Sequence, residues 1–147
     1  MKKLIMRLSN IVFAGLLLVS GGSVLAAASA DQVKAVYHIN EGTDKASALL
    51  RNVKNHLEAD PKAKIIVVGH GKGIDFMLEG AEDTNKLAFR TTMEDLADKG
   101  VEFRVCNNTL VSRNINASKV VSPATIVPSG VAEIATLQSK GFVYLKP

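Results

Sequence analysis

Residues 64–73, Lys64-Ile65-Ile66-Val67-Val68-Gly69-His70-Gly71-Lys72-Gly73, decide the fold. The run from Lys64 to Val68 is apolar without alternation, as expected of a strand covered by helices on both faces and therefore of a parallel sheet. The glycine-rich segment that follows lets the chain leave the sheet sharply. It does not read as a phosphate cradle. The third glycine of G-x-G-x-x-G is misplaced, and no G-K-[ST] follows for a P-loop. A tight strand-to-helix turn is the reading.

On either side of this strand the pattern alternates between strands and helices. Val33 to Ile39 (VKAVYHI) is β-branched and aromatic, which suits a first strand. Thr43 to Glu58 places Ala46, Leu49, Leu50, Val53 and Leu57 at helical spacing, and Asp60-Pro61 ends it. Asn85 to Lys99 carries a weaker helical stripe that includes Leu87, Phe89, Met93 and Leu96, closed by Gly100. Val101 to Cys106 (VEFRVC) alternates, with Val101, Phe103 and Val105 on one face and Glu102, Arg104 and Cys106 on the other. A short helix is expected at Asn108 to Arg113 and a fourth strand at Ala124 to Val127. Pro128-Ser129-Gly130 opens a further helix, Gly141 stops it, and Phe142 to Leu145 is a fifth strand. Five strands with interposed helices predict a single-domain α/β fold with a doubly wound, mostly parallel five-stranded sheet.

The chain has 147 residues, 47% hydrophobic and 22% charged, with a formal charge of +4, no Trp and one Cys. That positive charge belongs to the leader. Lys2, Lys3 and Arg7 precede an uncharged run from Leu8 to Ala30, and small residues supply cleavage sites at Val24-Leu25-Ala26 and Ala28-Ser29-Ala30. This is the pattern of a bacterial secretory signal peptide over residues 1–30, leaving an α/β domain over residues 31–147. The expected destination is the periplasm, with no membrane association after cleavage. Without the leader, 15 basic and 14 acidic residues remain, which leaves little support for a nucleic-acid-binding surface.

Open parallel sheets bind ligands outside the carboxyl ends of their strands. His38 ends the first strand, His70 the second, Cys106 the third and Pro128-Ser129 the fourth. Cys106 is alone, so it forms no intramolecular disulfide; there is no C-x-x-C, and multi-cysteine zinc is excluded. A thiol at a strand end, just ahead of a helix start, feels the positive field of free amides, which favours the thiolate. Its other reading is a small buried hydrophobe. His38 and His70 are placed to orient a substrate or trade protons with the thiol. A His38–His70–Cys106 metal site would draw its ligands from separate loops with no close spacing, so no metal and no cofactor are expected. Ser129 lacks a G-x-S-x-G frame and reads as a helix cap, and His56 is expected to be exposed near a helix end.

Several stretches resemble the DsrE/DsrF-like family of sulfur-relay proteins. They are ADKGVEFRVCNNTL (97–110), AVYHINEG (35–42), the helix with Asn52 and Asn55, KIIVVGHGKGI (64–74) and VPSGVAEIATLQSKGFVYLKP (127–147). The resemblance covers essentially Val33 to Pro147, and implies a compact α/β fold assembled into homotrimers or hexamers. In the sulfur-transferring members, a cysteine after a G-V-x-x-x-x-C strand carries sulfane sulfur as a persulfide. Cys106 matches that position.

Two functions are expected from the combination. In the first, Cys106 accepts sulfane sulfur from a donor protein and passes it to an acceptor in sulfur oxidation or relay, with Asn107 or Asn108 amides stabilising the persulfide anion and His38 or His70 moving a proton. In the second, a non-catalytic oligomer binds a small ligand or metal in the same strand-end pocket. The polar face of the third strand, Glu102, Arg104 and Cys106, is less apolar than a covered strand should be, and this predicts contact with a neighbouring subunit.

Overall fold

The computed structural model describes residues 32–147; the leader expected at residues 1–30 lies outside them. Five strands form one parallel sheet in the order β4-β3-β2-β1-β5. They are β1 (Lys34–Ile39), β2 (Lys64–Gly69), β3 (Glu102–Cys106), β4 (Ala124–Val127) and β5 (Val143–Leu145). The helices are α1 (Thr43–Ala59), α2 (Phe89–Ala97), α3 (Asn107–Ser112) and α4 (Gly130–Ser139). The sheet expected to be mostly parallel is parallel throughout.

The period-2 alternation of the strands sorts their side chains onto two unequal faces. Ala35, Tyr37 and Ile39 of β1, Ile65 and Val67 of β2, and Phe103 and Val105 of β3 are buried against Leu49, Leu50 and Val53 of α1 and Met93 and Leu96 of α2. On the other face Val36, Ile66 and Val68 meet only Ile134 and Leu137 of α4, together with Phe142. Helices on both faces make the sheet doubly wound. The chain steps from β1 through β4 in one direction, and α4 then carries it back across the sheet to β5 at the opposite edge. This return lays the start of α4 over the carboxyl ends of β3 and β2.

Two local expectations are corrected. The helix predicted from Asn85 begins only at Phe89, and Leu87 is 64% exposed rather than on a buried stripe. The Asp83 carboxylate accepts the amides of Asn85 and Leu87 at 2.8 and 2.9 Å, Lys86 takes a φ of 65°, and Glu82 bridges to Ala88. A local side-chain turn thus outcompetes helix over these residues. The turn after β2 is longer than a simple strand-to-helix connection: Gly71–Met77 forms a 3-10 helix. Gly71 takes a φ of 57°, whereas Gly69 and Gly73 are needed for space. A Cβ on Gly73 would collide with the Ile39 carbonyl, and one on Gly69 would lie 2.6 Å from the Gly73 carbonyl oxygen. The backbone of this turn, read from sequence as no phosphate cradle, is packed against the end of β1.

The polar face of β3 also differs from expectation. Glu102 and Arg104 need no second subunit for their charges, because Arg104 donates to Glu102 at 2.6 Å and also pairs with Glu133 of α4. The helix that crosses this face supplies the counter-charge from within the chain.

Candidate functional site at the carboxyl ends of the strands

Four strand ends place polar side chains in a row on the α4 side of the sheet. Tyr144 comes from β5, His38 from β1, His70 from the residue after β2, and Cys106 from the end of β3. Cys106, His70, Asn108, Thr109, Ser112, Ser129 and Val131 line one open depression of about 350 Å³. A second depression of about 360 Å³ lies between α1 and α2, lined by Arg51, Lys54, Asp95 and Lys99 among others, and contains neither the thiol nor a histidine.

Cys106 is 4% exposed and stands at the N-cap of α3. Burial pushes its thiol up, since the charged form loses water. The Gly130 amide, the Thr109 hydroxyl and amide, and the Asn108 amide act in the opposite sense, and together they hold the thiol below its ordinary value. The α3 amides achieve this as nearby dipoles, since the sulfur does not close a formal capping bond and the Asn108 amide donates to the Pro128 carbonyl at 3.3 Å. Gly130 opens α4, which is capped by the Ser129 hydroxyl accepting from the Ala132 amide at 3.4 Å. The sulfur therefore sits where α3 and α4 both begin.

Thr109, next to the thiol along α3, is buried, 7% exposed. Its oxygen accepts the Gly71 amide at 2.9 Å, which leaves the hydroxyl proton free to face the sulfur. Arg113 fastens the same region, donating to the Gly71 carbonyl at 3.0 Å and to Asp75 at 2.5 Å. Gly130 is held against the site more closely still. A Cβ there would lie 3.1 Å from the Cys106 Cβ, 3.2 Å from the His70 Cβ and 3.4 Å from the Gly69 carbonyl oxygen. Cys106 and His70 thus flank a single backbone point.

His38 and His70 are joined to each other. Their Nε2 atoms are 2.8 Å apart, the ring planes lie within 22° of parallel with centroids 4.8 Å apart, and His38 Nδ1 lies 2.6 Å from the Tyr144 hydroxyl. Burial, the neighbouring His70 and Lys146 hold His38 below its ordinary value, against the opposite pull of Glu41. His70 is lowered by burial and Lys146, again against Glu41. Lys146 is itself tied to Glu41 at 2.8 Å and to Asn40 at 2.5 Å. Both imidazoles are therefore kept neutral near pH 7.

The other residues singled out from sequence fall as follows. Asn108 lines the depression and contributes its amide, whereas Asn107 is exposed and does not line it. His56, expected at the surface, is half-buried, with Nδ1 3.0 Å from the Tyr37 hydroxyl. Among the described residues no group of three or more His, Cys, Asp or Glu is placed to hold a metal ion. Thr109, Gly130 and Tyr144 join the candidate site without a mark in the sequence reading; the only signals were that Thr109 follows the thiol at a helix start and that Gly130 opens the helix after the fourth strand.

The α/β architecture recurs in known structures. MTH1491 from Methanobacterium thermoautotrophicum, a protein of unknown function, superposes with a TM-score of 0.71 at 25% identity, over 79% of this chain and 100% of its own. The ychN protein from E. coli superposes with a TM-score of 0.65 at 14% identity, over 79% of this chain and 99% of its own. No curated protein matches the chain in sequence. The DsrE/DsrF-like family model matches residues 24–147, which include every strand of the sheet and the cysteine at the end of β3, and the chain belongs to that family.

Proposed function

We propose that the protein is an exported sulfur carrier whose Cys106 accepts sulfane sulfur as a persulfide and hands it to an acceptor. The observation that carries this reading is the placement of one buried thiol where α3 and α4 both begin, among the Gly130, Thr109 and Asn108 groups that hold it below its ordinary value, beside an open depression. A free cysteine that served only as a core hydrophobe has no use for donors that favour its anion. Membership of the DsrE/DsrF-like family supports the same chemistry. The uncharged run behind Lys2, Lys3 and Arg7 supports export to the periplasm.

The step is redox-neutral. The Cys106 thiolate attacks the terminal sulfur of a donor persulfide R–S–SH, a new S–S bond forms at Cys106, and the donor's S–S bond breaks. The donor thiolate leaves with the electron pair and takes up a proton. Transfer onward is the reverse, with an acceptor thiolate attacking the outer sulfur of Cys106–S–SH. The amides that favour the thiolate also stabilise the persulfide anion.

The carrier is proposed to work as a homo-oligomer, a trimer or hexamer. Val131, 63% exposed on the rim of the depression, and the exposed Ile126 and Val143 provide apolar surface for such contacts. Intact mass spectrometry after incubation with polysulfide, or with thiosulfate and a sulfurtransferase, tests the chemistry. The expected result is a gain of about 32 Da, one sulfur atom, that is lost in Cys106→Ser. Absence of the adduct with every donor would overturn the carrier in favour of a non-catalytic module binding a small ligand in the same depression.

A further inference from the structure

We propose that Tyr144, His38 and His70 form a proton relay that links Cys106 to solvent at the opposite edge of the sheet. The proposal rests on the sulfur-carrier reading, because that reaction moves a proton off the thiol and later returns one to a leaving thiolate.

The geometry constrains where protons can sit. With 2.8 Å between the two Nε2 atoms, only one proton lies between them, so one ring donates and the other accepts. The same holds across the 2.6 Å contact between His38 Nδ1 and Tyr144. The row therefore has two arrangements. In one, His70 Nε2–H donates to His38 Nε2, His38 Nδ1–H donates to the Tyr144 oxygen, and His70 Nδ1 is a bare acceptor. In the other, every bond is reversed and His70 Nδ1 carries a proton. Nδ1 is the His70 nitrogen not engaged by His38, and His70 lines the depression that contains Cys106.

Passing one proton through the row converts the first arrangement into the second. The thiol proton moves to His70 Nδ1, the Nε2 proton of His70 moves to His38 Nε2, and the Nδ1 proton of His38 moves to the Tyr144 oxygen. The phenol proton is released to water, which Tyr144 reaches with 40% of its surface exposed. One proton enters, one leaves, and no ring is left charged. When the donor thiolate departs, the row runs backwards and delivers a proton to it. The charged groups facing the histidines are Lys146 and Glu41, which are paired with each other, while Glu133 of the overlying helix is held by Arg104. Neutral imidazoles are what such a relay requires, and burial together with Lys146 favours them. In this relay His70, which shares the depression with Cys106 and whose Cβ lies beside the same point over Gly130, takes up the thiol proton and is the catalytic residue; His38 and Tyr144 are positioning residues that act through it.

Tyr144→Phe removes one oxygen from an exposed edge side chain and leaves the fold in place. Two rates are measured across pH in the purified protein and this variant: sulfur uptake from inorganic polysulfide, and alkylation of Cys106 by iodoacetamide. Alkylation needs the thiolate but returns no proton to its leaving group, so it reports thiol ionisation without the relay's return stroke. The relay predicts that Tyr144→Phe slows sulfur uptake by about tenfold or more, toward the usual size of general acid–base effects, and changes alkylation by less than about twofold. His38→Gln, which breaks the row at its centre, is expected to match Tyr144→Phe. Equal uptake by wild type and Tyr144→Phe at every pH overturns the relay while leaving the carrier intact, since His70 would then exchange protons directly with water. Parallel loss of uptake and alkylation overturns it as well, by showing a structural effect on the thiol. No uptake by the wild type overturns the carrier and the relay together.

Discussion

Thr109→Val isolates one hydroxyl at the centre of the site. Valine keeps the shape and β-branching of threonine, so no cavity opens at a position that is 7% exposed. Two interactions go. The Gly71 amide loses the acceptor it holds at 2.9 Å, and the sulfur of Cys106 loses a donor. Leaving a part-buried amide unpaired costs about 1–2 kcal/mol, which for a domain of this size lowers the melting temperature by roughly 4–8 °C. The sulfur responds separately. Removing a donor that favours the thiolate raises the thiol pKa, and a charge-assisted bond worth about 1.5 kcal/mol corresponds to roughly tenfold less thiolate at neutral pH. The remaining thiolate is intrinsically more nucleophilic by about threefold, so the net loss in alkylation rate is about threefold. Thermal unfolding followed by circular dichroism and a pH profile of iodoacetamide labelling read the two effects independently. Thr109→Ser, which keeps the hydroxyl, is expected to restore the labelling profile. Should Thr109→Val label with the wild-type pH profile, the hydroxyl does not act on the sulfur, whatever happens to stability.

Gly130→Ala adds a methyl group between the Cβ atoms of Cys106 and His70, at 3.1 and 3.2 Å, so α4 must shift by a few tenths of an ångström. Overpacking of about 1–3 kcal/mol offsets the roughly 1 kcal/mol gained from helix propensity, and the thiol pKa rises as the Gly130 amide withdraws; a melting curve and a labelling profile both matching wild type would show that the contact is slack. Gly73→Ala drives a Cβ into the Ile39 carbonyl and is expected to abolish soluble folded protein, which expression and circular dichroism check. His38 and His70 are held below their ordinary value of 6.5, so the folded chain binds fewer protons than the unfolded chain in the window that opens at 6.5 and extends downward. Stability is then fully present above pH 6.5 and is lost as pH falls through the folded values; the melting temperature should drop on acidification from pH 7 to 5, and His38→Gln/His70→Gln should flatten that drop. A homo-oligomer predicts a light-scattering mass of at least three chains at micromolar concentration, and a monomer there sinks it.

The parallel sheet was legible because two signals reinforced each other: an unalternating apolar strand at Ile65–Val68, and glycines at 100 and 141 where a helix ends and a strand follows within two residues. Both glycines take positive φ, 91° and 85°, which is the conformation that exit requires. The edges of the helix before Gly100 were not legible, since Asp83 competes for the backbone through its own carboxylate and apolar periodicity carries no trace of that bond. In the site, the strand ends at His38, His70 and Cys106 followed from the strand pattern alone. Their partners did not. Thr109 reaches the thiol because α3 starts at Asn107, and Tyr144 reaches His38 because β5 pairs with β1 rather than with β4. Strand order is a long-range outcome of packing that no local pattern records.

That same strand order explains why the candidate site lies on the thinly covered face. Only a helix that crosses from one edge of the sheet to the other can bring its amino end over the middle strands, and α4 alone makes that crossing. Its hold on the sheet is modest, resting on Ile134 and Leu137 against Val36, Ile66 and Val68. The alternation of β3 adds the missing specificity. Arg104, two residues before Cys106 and on the same face, pairs with Glu133, one turn into α4 from Gly130. The ion pair fixes where the helix starts, and the absence of a side chain at Gly130 fixes how closely it approaches. The docking of α4 thus adds the Gly130 amide and the cover over the thiol to the groups that α3 already places there. The polar face of β3, which from sequence looked like a surface awaiting a partner subunit, seats the helix that tunes the cysteine.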